Sequence, residues 1–202
     1  MGLLQLMLSW VNRTVVLVSV ILFMLTLMCK ETDMPFSQAS LRVAHLASFS
    51  TWFGTSVWVS FIAGVVLMKA VDIETFGLAQ TKLFDAYFRF SLLCLALAGF
   101  SAVGLTSSRG GGDAVMGTTP FLIALGCVAS NLFFFGPQTT ISMMERRRVC
   151  KGLGVDRKSP NYQVRKLSKR FGIFHGVCNL LNLVSLACGA VHLCSLAGRL
   201  NL

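Results

Sequence analysis

Four stretches of this chain run without a charged side chain for longer than a water-soluble fold sustains. Residues 43–68 span 26 positions with no Asp, Glu, Lys or Arg, residues 90–108 span 19, 114–144 span 31 and 171–198 span 28. A helix needs about 20 apolar residues to cross the hydrocarbon core of a bilayer. Only 13% of the chain is charged and its mean hydropathy is +0.70, against about 25% charge in an ordinary soluble domain. The class that follows is an all-α, polytopic membrane bundle. A membrane β-barrel is excluded, because its strands would be alternating segments of about 10 residues.

A fifth run, residues 14–29, has 16 positions, about 24 Å of helix at 1.5 Å per residue. Residues 1–12 before it are also apolar, so the expectation is a retained N-terminal helix over about 10–29, with Arg13 snorkelling and Trp10 at the interface. The competing reading is a cleaved signal peptide, but Met28-Cys-Lys-Glu31 does not resemble a small-residue cleavage site. The expected organisation is thus a helix or signal anchor within 1–30 and a four-helix membrane domain over 40–198, five spans in all.

The net charge of +10 is a topology signal rather than a nucleic-acid footprint, because no aromatic platform accompanies it. With five spans, fourteen Lys and Arg fall on one side and four on the other. Ten of the fourteen lie between Arg146 and Arg170. This places the N-terminus and the 145–170 connection in the cytosol, stroma or matrix of an endomembrane, plasma membrane or organellar inner membrane, with the C-terminus outside. Arg146, Arg147, Arg148, Lys166, Lys169 and Arg170 are the candidate contacts for anionic lipid head groups. The expected partners are the bilayer, those lipids and other membrane subunits, with no nucleic acid. The seven cysteines include no Cys-x-x-Cys, so no zinc or redox motif is visible; Cys29 and Cys194 would both lie near the outer face, where pairing is an option.

Along the domain, helices are expected over about 40–69, 82–106, from Thr119-Pro120 through the third long run, and from Ser159-Pro160 to about 197. Ser/Thr before Pro is a helix-start pattern. Residues 70–82 read as an inner connection, 107–113 as a flexible outer loop, and Gly136-Pro137 as a kink or break. Ser56, Ser60 and Gly64 form a small-residue row of the kind that lets membrane helices approach closely.

Polar residues inside these runs set the candidate sites. His45, Ser48, Trp52 and Ser56 share one helix face. His175, Asn179 and Asn182 share another, with Cys178 and Ser185 at its edge. Such groups turn from lipid, since an unpaired polar group in hydrocarbon costs several kcal/mol. Interhelical hydrogen bonding explains them without a ligand. The alternative is a haem, copper or metal-complex site on His45, His175 or His192. His45 and His175 sit near opposite membrane faces, so His45 with His192 is the better two-histidine pair. No carboxylate lies at mid-depth, and no nucleophile–base pair is legible, so a non-enzymatic role without a cofactor is expected.

Three stretches carry a family resemblance. They are the His45…Trp52-Phe-Gly54…Trp58…Phe61…Gly64 segment; Thr75-Phe-Gly-Leu-Ala-Gln80-Thr-Lys-Leu-Phe84 with Tyr87-Phe88; and Gly136-Pro-Gln-Thr-Thr140 with His175-Gly…Asn182-Leu. Over about 42–195 the chain resembles the transmembrane protein 205 family, a eukaryotic group with a four-helix domain of uncharacterised function. The resemblance implies a role for Phe76, Gly77, Gln80, Lys82, Phe84, Pro137, Thr139 and Thr140 as an inner-face motif, with no catalytic assignment. The N-terminal helix departs from short family members. His45-x6-Trp52-x-Gly54 is also similar to a first-helix pattern of bacterial copper-resistance D proteins, which implies copper or haem as the ligand. The combined expectation is an accessory subunit or a trafficking or transport factor of a membrane.

Overall fold

The computed structural model describes residues 38–107 and 112–198. The expected N-terminal helix and Cys29 lie outside them. Four long helices follow one another: α1, Gln38–Ala70; α2, Ile73–Ser107; α3, running 112–153; and α4, Tyr162–Ala197. All four are long and apolar enough to cross a membrane. Apolar side chains such as Val66, Phe100, Leu122, Phe133, Leu180 and Val191 point outward, a surface that only lipid or another membrane protein covers without cost. α4, at 36 residues, is about 54 Å long, well beyond a core of about 30 Å. It therefore projects, with the end of α3, as a basic helical hairpin.

Local chemistry places the helix ends, and several differ from the sequence expectation. The α1–α2 connection is two residues, Val71 and Asp72, not 70–82. Asp72 caps α2: its carboxylate accepts from the Thr75 hydroxyl at 2.6 Å and from the backbone N–H of Glu74 and Thr75 at 2.9 and 3.0 Å. The Thr75–Phe84 motif is consequently helical. α3 starts at Gly112 and takes Pro120 inside it, rather than starting at Thr119-Pro120. Gly136-Pro137 does not break α3. One π turn, Asn131–Phe135, precedes it, and the Gly136 N–H bonds the Asn131 carbonyl; Pro137, with no N–H to lose, then restarts the α-helix in its first turn. The last helix begins two residues after Ser159-Pro160, with Asn161 as its cap, accepting from the Gln163 N–H at 2.9 Å. Gly154 ends α3 in the left-handed conformation at φ 62°, which an L residue would strain.

The packing is asymmetric along the bundle axis. At the end away from the basic hairpin, the helices close on a core of Phe49, Trp52, Leu95, Ala98, Phe121, Ala124 and Val128. Gly189 lets α4 meet α1 there: a Cβ at this position would lie 2.6 Å from the Phe53 ring and 2.9 Å from Trp52. Toward the basic end, the α1–α2 and α3–α4 pairs part.

Candidate functional site

Three polar constellations line the axis. The first lies at the end away from the basic hairpin, where His45 and His192 meet Nε2 to Nε2 at 2.9 Å. The Nδ1 of His45 lies 2.9 Å from the Ala98 carbonyl. A carbonyl only accepts, so this Nδ1 carries its proton. In the neutral pair the Nε2 of His45 is then the acceptor and His192 the donor. Phe49 and Phe121 enclose the pair, with ring centroids 4.8 and 4.4 Å from His192. A haem between these rings does not fit: the two nitrogens touch, and the crevice beside them, lined by Trp52, Phe121 and Gly189, has no room for a water. Among the described residues no three His, Cys, Asp or Glu side chains come together to hold a metal ion.

His175 is elsewhere. It lies 17 residues before His192, about 26 Å along α4, stacked on Phe171 at 5.4 Å and 3.2 Å from Asn179 Nδ2. The helix-wheel reading needs correction here. The buried face of α4 is Cys178, Asn182, Ser185, Gly189 and His192, roughly 60° round from the expected arc. His175 and Asn179 fall on one flank of it, and His192 at its opposite edge, still buried.

The second constellation is a polar chain across α1, α2 and α4. The Tyr87 hydroxyl donates to Asn182 Oδ1 at 2.8 Å and sits 3.0 Å from the Ser56 hydroxyl. Asn182 Nδ2 donates to the Ser60 hydroxyl at 2.7 Å. Ser56 also reaches its own helix at the Trp52 carbonyl. Asn182 thus uses both ends of its amide between helices, and Ser56 and Ser60 of the small-residue row serve as its anchors. Ser48, on the same α1 face, is buried as well.

The third is a cavity of about 1070 Å³ between the parted halves, at the basic end. Both π turns border it: Val59 and Ser60 from the one at Trp58–Ala63 in α1, and Asn131 and Leu132 from the one in α3. π turns recur at functional sites because they swing a few side chains out of helical register. The inner-face motif is here too: Phe76, Gly77, Gln80, Lys82 and Phe84 line it from α2, and Pro137, Thr139 and Thr140 from α3. The Thr139 hydroxyl donates back to the Phe135 carbonyl at 2.7 Å rather than across to α2. His175, Cys178 and Asn179 face the cavity from α4.

Two buried acceptors in this wall have no partner, Gln80 Oε1 and Asn131 Oδ1. The Asn131 amide is fixed by its Nδ2, which donates to the Cys178 carbonyl at 3.0 Å, so its oxygen is the unpaired end. Asn131 was not singled out from the sequence. Its signal was available: an asparagine near the middle of a 31-residue uncharged run.

The basic side chains divide at the cavity mouth. Arg146 and Arg147 line it. Arg147 donates to the Glu74 carbonyl and lies over Gly77, where a Cβ would meet its guanidinium at 3.1 Å. Arg146 is held over the Phe171 ring, 4.8 Å from its centroid. Arg170 bonds Gln138 at 2.9 Å and approaches Glu145 at 3.6 Å. Arg148, Lys166 and Lys169 are exposed on the hairpin.

The comparisons with known proteins agree with this architecture. The family model described as a domain of unknown function (DUF4149) matches residues 47–148. A zebrafish (Danio rerio) protein named Transmembrane protein 205 is 33% identical over 180 residues, covering 80% of this chain and 94% of the relative. No solved structure matches the chain.

Proposed function

The chain belongs to the transmembrane protein 205 family, and on that premise we propose that it is a non-enzymatic trafficking or transport factor that takes a ligand into the cavity at its basic end. The observation that carries this reading is the cavity itself. A membrane bundle with no ligand to hold has every reason to close its inner half as it closes the other, yet here two π turns and a family-motif helix surround about 1070 Å³ of mixed apolar and polar wall. Sites of this size, mostly apolar with a few convergent polar groups, are the usual form of small-molecule pockets. The unpaired carboxamide oxygens of Gln80 and Asn131 support the same reading, because buried acceptors normally find a partner.

The excess of Lys and Arg at this end supports a cavity mouth on the cytosolic, stromal or matrix side. Exposed Arg148, Lys166 and Lys169 then reach anionic head groups, each contributing about 1 kcal/mol near the surface. The His45–His192 pair serves, in this account, as a lock between α1 and α4 rather than as a ligand set.

Native mass spectrometry of protein released from its membrane in mild detergent tests the proposal. A small molecule retained by the protein, and displaced by filling the cavity with Thr140→Trp, is the expected result. A protein that retains nothing, and whose stability is indifferent to every amphiphile added, would overturn it.

A further inference from the structure

Resting on the reading of the cavity as a ligand site, we infer that its ligand is a phosphate-bearing lipid with a hydroxyl or amide donor close to the phosphate. Charge comes first. The cavity wall carries five cations, Lys82, Arg146, Arg147, Lys151 and Arg157, against three carboxylates. One of these, Asp85, is already engaged by Arg89 at 3.2 Å. Two guanidiniums from consecutive residues, both lining one mouth, suit a phosphate, which such groups grip with forked donors. The Arg147 contact with the Glu74 carbonyl and the Arg146 contact with Phe171 hold both groups in place and leave donors to spare, since each guanidinium has five N–H.

Spacing comes second. The Arg147 guanidinium lies against Gly77. Gln80 is three residues further along α2, about 4.5 Å deeper; its Oε1 has no partner and is shielded within the wall, so a turn of the side chain is what would bring it to a ligand. A bound molecule would therefore present an anion and, a few bonds away, an O–H or N–H to donate. A glycerol phosphate or an amide-linked phosphate head has that order of groups. Gly77 belongs to this geometry, because a Cβ there would crowd the Arg147 guanidinium, which would have to give by a few tenths of an ångström.

The interior supplies the third observation. Beyond Gln80 the wall is mixed, with apolar Phe84, Phe88, Leu132 and Ile141 beside Thr139, Thr140 and Asn131. Along α3, Asn131 lies 16 residues from Arg147, about 24 Å away and more than half of a core of about 30 Å. That length accommodates an acyl chain lying along the bundle axis. A small inorganic anion would leave this wall uncovered, and a neutral lipid would leave the arginines unanswered.

The test uses the full chain in detergent and three probes: oleoyl lysophosphatidic acid, monooleoylglycerol and inorganic phosphate. Binding is read by native mass spectrometry and by thermal stabilisation. Lysophosphatidic acid is expected to bind, and monooleoylglycerol to bind at least about tenfold more weakly. Millimolar phosphate should fail to displace the lipid. Arg146→Gln with Arg147→Gln should weaken lysophosphatidic acid by at least about tenfold and leave monooleoylglycerol unchanged, whereas Lys158→Gln with Arg165→Gln on the outer surface of the hairpin should change neither. If the arginine pair proves needed for folding, Lys82→Gln with Lys151→Gln reads the same charge. Equal binding of both lipids overturns the inference and leaves the cavity reading standing. Displacement by phosphate at matching concentration makes this a small-anion site. Loss only in the outer-hairpin variant makes the contact a surface one. Binding of none of the probes overturns the inference, and the proposed function is then decided by whether the protein retains any molecule from its membrane.

Discussion

Replacing Tyr87 by Phe isolates what the polar chain contributes to holding the bundle together. The substitution deletes one hydroxyl and keeps the ring, which is 4% exposed and packs 5.1 Å from Phe88 and edge-on to Phe84 at 6.0 Å. What is lost is the 2.8 Å bond to Asn182 Oδ1, together with the 3.0 Å contact with the Ser56 hydroxyl. Interhelical hydrogen bonds in membranes average about 0.6 kcal/mol and reach about 1.7. This one sits at the upper end, because the stranded Asn182 oxygen has no water to turn to, so a loss of about 1–2 kcal/mol is expected. Asn182→Leu removes both this bond and the one to Ser60, and about 2–3 kcal/mol should go. The double variant should fall short of the sum by about 1 kcal/mol, since the shared bond is counted once. Ser101→Ala is the control. Its hydroxyl bonds its own helix at Leu97, so its loss should cost under about 0.5 kcal/mol. The assay is unfolding in mixed micelles of rising dodecyl sulfate fraction, followed by far-ultraviolet dichroism. A Tyr87→Phe variant within about 0.3 kcal/mol of the parent, with no coupling to Asn182, would refute the view that this chain joins α1, α2 and α4.

Two further outcomes follow from the packing and the caps. Gly189→Leu should force α4 from α1, because even its Cβ would lie 2.6 Å from Phe53; a loss of about 3 kcal/mol or more is expected from overpacking, whereas Gly176→Leu, where nothing lies within 4 Å of a Cβ, should be near neutral. The Thr75 hydroxyl, with the N–H groups of Thr75 and Glu74, holds the Asp72 carboxyl below its ordinary value. A lowered folded value means the cap's contribution is full above about pH 4 and fades as pH falls through the folded value. Hydrogen exchange at the first turn of α2, corrected for intrinsic rates, should rise in that acid window, and Asp72→Asn should abolish the pH dependence.

Much of this fold is legible in the sequence, because the bilayer imposes a simple demand: each uncharged run must become a helix. The four runs became α1 to α4. The ends were harder to read, because polar residues do not stop a helix. Gln80 and Lys82 suggested a connection, but Asp72 had already capped α2 and the side chains had a cavity to point into. Gly136-Pro137 suggested a break, and the π turn at Asn131 absorbed it. The histidine arrangement was partly accessible. Helix rise separates His45 from His175 and favours His192, but the wheel alone could not show which side of α4 meets α1. That is decided by Gly189, the position at which α1's Phe53 and Trp52 come within a Cβ's distance of α4. The cavity was least accessible, since it arises from how two helix pairs part, and no local pattern encodes that angle.

The central claim is that the bundle is closed at the His45–His192 end and open at the basic end. Cysteine labelling of the reconstituted protein with a membrane-impermeant maleimide tests it most directly, with reagent added to one side at a time and the native cysteines replaced by Ser or Ala. Thr140→Cys and Asn179→Cys, in the cavity wall, should label from the basic side only and should be protected by a bound amphiphile. Ala124→Cys and Ser48→Cys, in the closed half, should label from neither. Labelling of the closed-half positions, or silence of Thr140→Cys and Asn179→Cys from the basic side, would contradict the account.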